Sequence, residues 1–220
     1  HDQTRRQRQM CIRDRDYLDY MDSFRYPLAG EFSFRRDVLN DIRIPSDWSL
    51  EVGVLSEMYR NYANNRLCQV DIADNYDHKH QSLSVNDESK GLSKMSIDIA
   101  KGLFRKLATQ GVIFSQETFR SIKATYYRKA LDVIENCHND AVMNGLSLDV
   151  HEEEKAVEMF AQNIIKAGEI FTAIPMERPF LPSWNRVVSA IPDIYDQLIE
   201  AVDKDLNCLL YTSPSPRDST

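Results

Sequence analysis

Two histidines two residues apart, His78 and His80, close a run rich in carboxylates, Gln69 to His80 (QVDIADNYDHKH). In an extended loop both imidazoles can project to one side, and imidazole is a common ligand of divalent metals. Two solvated loop histidines are the commoner meaning of such spacing. Asp71, Asp74 and Asp77 do not make a calcium loop, because the spacing is wrong and the glycine at the sixth position is missing. A second group stands in Trp48 to Gly53 (WSLEVG). Glu51 falls in the first turn of a helix, where the macrodipole favours a carboxylate by about 0.3 kcal/mol. That role alone explains it. A carboxylate there could also accept hydrogen bonds from sugar hydroxyls, with Trp48 as a platform for the ring.

The elements that must position these residues are legible from periodicity. Tyr26 precedes Pro27 and is biased to an extended conformation in a turn-rich segment, Phe24 to Gly30. Glu31 to Leu39 reads as a short helix. After a break at Ile44 to Asp47, Leu50, Val54, Met58 and Tyr62 form one stripe of a helix over Trp48 to Tyr62. Leu67 to Ala73 alternates Cys68, Val70 and Ile72 with polar residues and reads as a strand. A lone strand cannot stand by itself, so it requires partner strands elsewhere. Helical pattern then runs from Leu92 to near Gly111, and from a cap at Ser115 to a stop at Gly145. A third helix spans His151 to Phe171, with the solvated acidic start Glu152 to Glu154. A last helix after Ser183 is kinked by Pro192. Trp184, Tyr126 and Tyr127 read as core residues.

Composition narrows the classes. The chain has 220 residues, 42% of them apolar, which permits a real core. Its net charge of −7 argues against non-specific nucleic-acid binding. No apolar run approaches a membrane span. Gly-rich phosphate-binding loops are missing. Of four cysteines, Cys68 and Cys137 are scattered through the credible chain, as in a reducing cytoplasm where a buried thiol packs as a small apolar group. Residues 1–15 and 207–220 contain MCIRDR and LLYTSPSPRDS, which look like translated sequencing adapter. They are expected to be non-native ends. The expected organisation is α+β and mostly helical, with an acceptor- and metal-side part at 16–88 and a helical region at 89–206.

Four short motifs occur in a fixed order: Tyr26 to Phe32 (YPLAGEF), Trp48 to Gly53, Gln69 to Ile72 (QVDI), and the histidine loop. Together with Pro179 to Pro192 (PFLPSWNRVVSAIP), they resemble the C-terminal portion of the glucosyl-3-phosphoglycerate synthase family over about Asp16 to Leu206. That family comprises retaining glycosyltransferases of the GT-A, Rossmann-like fold.

The resemblance implies an enzyme that moves glucose from a nucleotide-diphosphate donor, UDP or GDP, to the 2-hydroxyl of 3-phosphoglycerate. The product leads to the compatible solute glucosylglycerate; mannose is the variant donor sugar. It implies that Leu28, with Gly30, lies in a turn whose backbone holds the donor sugar. Glu51 is the catalytic-site glutamate bonding the glucose, beside Trp48. His78 ligates Mg²⁺ or Mn²⁺, and His80 stands on the phosphate side. Many relatives carry Arg where this chain has Tyr76, in a loop one residue longer here. The aspartate motif that would share the metal with His78 is not in this chain, so the chain alone is expected to be inactive. A cytoplasmic location, with no nucleic-acid or membrane partner, accompanies this reading, and a homodimer is compatible with it. The alternative is a non-catalytic helical interaction module, in which Leu92 to Val202 buries its stripes against a partner or a second copy.

Overall fold

A computed structural model describes residues 16–62, 66–72, 83, 89–175 and 180–209. In order they form α1 (16–22), α2 (Arg36–Asp41), β1 (Ile44–Pro45), α3 (Leu50–Asn61), α4 (Gly91–Thr109), α5 (Gln116–Met143), α6 (Val150–Ala173), β2 (Phe180–Leu181), α7 (Trp184–Ala190) and α8 (Ile194–Leu209). The chain is thus mostly helical with a small sheet. Two compact units divide it, one of 16–32 with 43–181 and one of 33–42 with 182–209.

The first unit is organised on α6, which packs against both α4 and α5. The expected Ser115 cap is present as a reciprocal box: Ser115 Oγ accepts the Thr118 N–H, and Thr118 Oγ1 accepts the Ser115 N–H, both at 3.3 Å. α5 stops at Met143, two residues before Gly145. Asp149 caps α6 by accepting the N–H groups of His151 and Glu152. The core of this bundle is Ile97, Phe104, Phe119 and Ala167, flanked by Phe114, Ile122, Ile164 and Phe171. Phe119 lies 5.0 Å from Phe104 and stacks on Phe114 at 5.5 Å, centroid to centroid. Gly168 makes room for it, because a Cβ there would stand 2.6 Å from the Phe119 ring. Asn163 of α6 donates to Ser96 Oγ at 2.7 Å and to Ser93 O and Oγ, which joins α6 to α4 by a satisfied buried amide.

α4 also buries a charge cluster. Asp98 accepts from Lys94 at 2.7 Å and pairs with buried Lys101 at 3.1 Å. Burial pushes the Asp98 carboxyl up, but the hydrogen bonds and charges of the two lysines outweigh it and hold the group below the ordinary carboxylate range. A depressed folded value means that this stabilisation is present at neutral pH and is lost as pH falls through it, below about pH 4. The melting temperature is therefore expected to drop on acidification below about pH 4. Asp98→Asn, less stable at neutral pH because it removes the carboxylate that Lys94 and Lys101 share, should lose less over the same interval in parallel melts. Equal acid losses in both proteins would rule the cluster out as a source.

α1 docks on α3 through aromatic residues. Ser56 Oγ donates to Val52 O at 2.7 Å, so the buried Tyr17 hydroxyl, 2.7 Å away, donates to Ser56. Tyr20 OH donates to Leu55 O, and the Tyr17 and Tyr20 rings both meet Tyr59. β1 and β2 pair antiparallel, Ile44 with Leu181 and Pro45 with Phe180.

Several expectations are corrected. Residues 67–72 are not a strand; no backbone ladder forms on them among the described residues, and Val70 and Ile72 stay exposed. The strands are instead Ile44–Pro45, expected as a break, and Phe180–Leu181. Helix α2 begins at Arg36 rather than Glu31, behind Arg35, whose guanidinium pairs with Asp37. Pro192 does more than kink the last helix: it separates α7 from α8, because its ring removes a donor and crowds the preceding turn. Ser183 occupies the N-cap position without a side-chain cap bond. Cys68 and Cys137 are exposed, not packed. Trp184, Tyr126 and Tyr127 are half-buried rather than core; each keeps part of its ring at the surface.

Candidate functional site

The N-terminus of α3 is the best-positioned part of the candidate site. Asp47 Oδ1 accepts the Ser49 N–H at 3.0 Å, and the Ser49 hydroxyl bonds the same carboxylate. Its other oxygen lies 3.5 Å from the guanidinium of Arg105, a buried residue of α4. Gly102 of α4 allows this approach, since a Cβ there would stand 2.6 Å from Ser49 Cβ. The first turn of α3 is thereby clamped to α4. Further along the same seam, buried Glu57 accepts the Arg43 N–H at 3.2 Å and meets Arg60 at 3.5 Å. Burial pulls the nearby Lys106 ammonium down, while the Glu57 carboxylate opposes that shift.

This clamped segment carries both Trp48, in the turn just before α3, and Glu51, in its first turn. Trp48 is 43% exposed and Glu51 is half-buried. Among the described residues, no hydrogen bond or ion pair engages the Glu51 carboxylate, so it is open to an external donor. Such an arrangement, a half-buried acceptor three residues after an exposed indole, suits a polyhydroxylated ring with one apolar face.

Leu28 and Gly30 sit in a separate turn, closed by the Ala29 N–H donating to Tyr26 O at 3.2 Å. Leu28 is half-buried, Gly30 is exposed, and open space surrounds the position of a Gly30 Cβ. The segment leading to the histidines is tied to the residues before this turn. Gln69 accepts the Arg25 N–H at 2.8 Å and donates to Ser23 O at 2.8 Å, while Asp71 pairs with the Arg25 guanidinium at 2.9 Å. The ion pair is fully solvated and adds little stability; the two amide bonds of Gln69 set the register. Sequence reading singled out neither Gln69 nor Asp71 for this role, because contacts 44 and 46 residues apart leave no local signal. His78, His80 and Tyr76 lie outside the described residues. Among the described residues, no three His, Cys, Asp or Glu side chains could share a metal ion.

A cavity of about 540 Å³ opens elsewhere in the first unit, lined by Asp16, Asp19, Tyr20, Phe24, Tyr59 and Cys68 among others. None of the described residues expected to hold substrate lines it.

Compared with known proteins, the chain is similar to synthases. Two curated relatives make the likeness particular, and both are named glucosyl-3-phosphoglycerate synthase. The one from Persephonella marina (strain DSM 14350 / EX-H1) is 47% identical over 189 residues, covering 86% of this chain and 47% of that protein. The one from Methanococcoides burtonii (strain DSM 6242 / NBRC 107633 / OCM 468 / ACE-M) is 44% identical over 193 residues, covering 87% of this chain and 47% of that protein. The resemblance drawn from the motifs is borne out, and the chain spans about half the length of the curated relatives it matches. No family model matches the chain. No solved structure matches it either.

Proposed function

We propose that the chain is part of a retaining glycosyltransferase that makes glucosyl-3-phosphoglycerate from a nucleotide-diphosphate glucose, UDP or GDP, and 3-phosphoglycerate. One observation supports it most: Glu51, unengaged and three residues after exposed Trp48, on a turn packed against α4, in a chain 47% identical to a synthase of that name. In this reading Glu51 accepts hydrogen bonds from the glucose hydroxyls and orients the ring, Trp48 covers its apolar face, and the backbone at Leu28 and Gly30 holds the sugar. The anomeric bond breaks toward the departing diphosphate, and the acceptor's 2-hydroxyl bonds to the anomeric carbon on the same face. Its proton passes to the leaving phosphate. Glu51 positions and is not the base.

A divalent cation, Mg²⁺ or Mn²⁺, would neutralise the leaving diphosphate in such chemistry. The described residues do not form a site for one, and His78 alone would be this chain's contribution. His80 would face the phosphates. Residues 16–88 would be the end of a GT-A catalytic domain and 89–206 its helical extension. A cytoplasmic location goes with the nucleotide-sugar donor. No described helix is long and apolar enough to cross a membrane.

The test uses two proteins: the 220-residue chain, and a chimera in which it replaces the matching segment of the Persephonella marina relative. Both are assayed with UDP- and GDP-glucose and 3-phosphoglycerate. The chimera should form product and the chain alone none. Product from the chain alone would overturn the expected inactivity of the piece, and a folded but silent chimera would overturn the transferase reading. The alternative, a helical interaction module, is favoured by one observation, the uncovered stripe of α8.

A further inference from the structure

Helix α8 stands almost entirely in solvent. Of its residues 194–206, Ile194 is half-buried and the rest are exposed. Its anchor is at the start, where Trp184 Nε1 donates to Tyr195 OH at 2.7 Å and the two rings meet edge to face. Yet the helix is strongly amphipathic. Tyr195, Leu198, Ile199, Val202 and Leu206 share a stripe roughly 100° wide at 100° per residue. Each is between 43% and 62% exposed. A 16-residue helix of mixed sequence is marginal in water by itself, so this one needs a surface on its apolar stripe.

The charges beside the stripe say which surface. Asp205 borders one edge, and Asp196 and Asp203 border the other. The lone lysine of the helix, Lys204, is already paired with Glu200 at 2.8 Å on the far face. A second copy of α8 would set carboxylates against carboxylates along both edges, which is unfavourable. An anionic lipid surface would be repelled in the same way.

We propose that the stripe of α8 is the docking surface for an amphipathic helix whose own apolar stripe is flanked by Lys or Arg. This goes beyond the transferase reading and does not depend on it.

The probe is a labelled 18-residue peptide with a leucine stripe flanked by lysines, titrated into the full 220-residue chain; a matched peptide flanked by glutamates is the control. The lysine peptide should bind, and weaken several-fold on raising the salt. The glutamate peptide should bind at least about tenfold more weakly. Leu198→Asn with Val202→Asn, which keeps the charge, should abolish binding and leave the melt of the α4–α6 bundle unchanged. Asp196→Asn, Asp203→Asn and Asp205→Asn together should retain binding but lose the preference between peptides. Binding that survives the double Asn variant, equal binding of both peptides, or no binding at all would each overturn the proposal. So would a dimer in sedimentation equilibrium that the double variant dissociates.

Discussion

Phe119→Ala should destabilise the first unit by about 4 kcal/mol and lower its melting temperature by roughly 10 °C. The ring is completely buried, touches Phe104 and Phe114, and lies directly on Gly168. Truncation therefore removes apolar burial and aromatic pairing together, and it leaves a void that glycine on the facing helix cannot fill. Phe119→Leu keeps much of the volume and should cost no more than about 1.5 kcal/mol. Thermal and urea unfolding followed by circular dichroism measure both. A loss below about 1 kcal/mol for the alanine variant would mean that α5 is not seated on α6 as described.

The second large effect is chemical. In the active chimera, Glu51→Gln should lower kcat/KM about a hundredfold, because a carboxylate that accepts from sugar hydroxyls makes stronger bonds than an amide. Stability should move by no more than the helix-dipole share of about 0.3 kcal/mol, since no partner within the described residues engages that carboxylate. The pairing of lost activity with a nearly unchanged melt is what separates a ligand-binding acid from a helix-dipole acid. Wild-type activity in the Gln variant would return Glu51 to the second role and remove the central residue of the proposed site.

The helices α3 to α6 were legible because their apolar residues recur at helical spacing and their ends carry local signals, such as Ser115 and Gly145. The helix expected from Trp48 starts at Leu50, so that Trp48 stands in the turn before α3 and Glu51 in its first turn. What escaped is long-range. Ile44–Pro45 and Phe180–Leu181 are too short to show alternation, and they exist because they meet each other. Leu67 to Ile72 alternates as a strand should, but alternation states a preference that only a neighbouring backbone can satisfy. The burial of Asp98, Lys101 and Arg105 leaves no local signal, because charge at helical spacing says nothing about whether a second element covers it. Glu57 was hidden for the same reason.

The clamp between α3 and α4 bears on how such a chain can be recombined. Asp47 and Ser49 precede the histidine loop and Gly102 and Arg105 follow it, yet the four residues form one joint. A crossover placed at residue 88 or 89, attractive because the pattern changes there, would separate the halves of that joint between two parents. Shuffled progeny should therefore tolerate exchange of the helical half when positions 47, 49, 102 and 105 are inherited as one block. Where they are not, the turn bearing Trp48 and Glu51 loses its footing, although every residue proposed to hold the sugar is still in place.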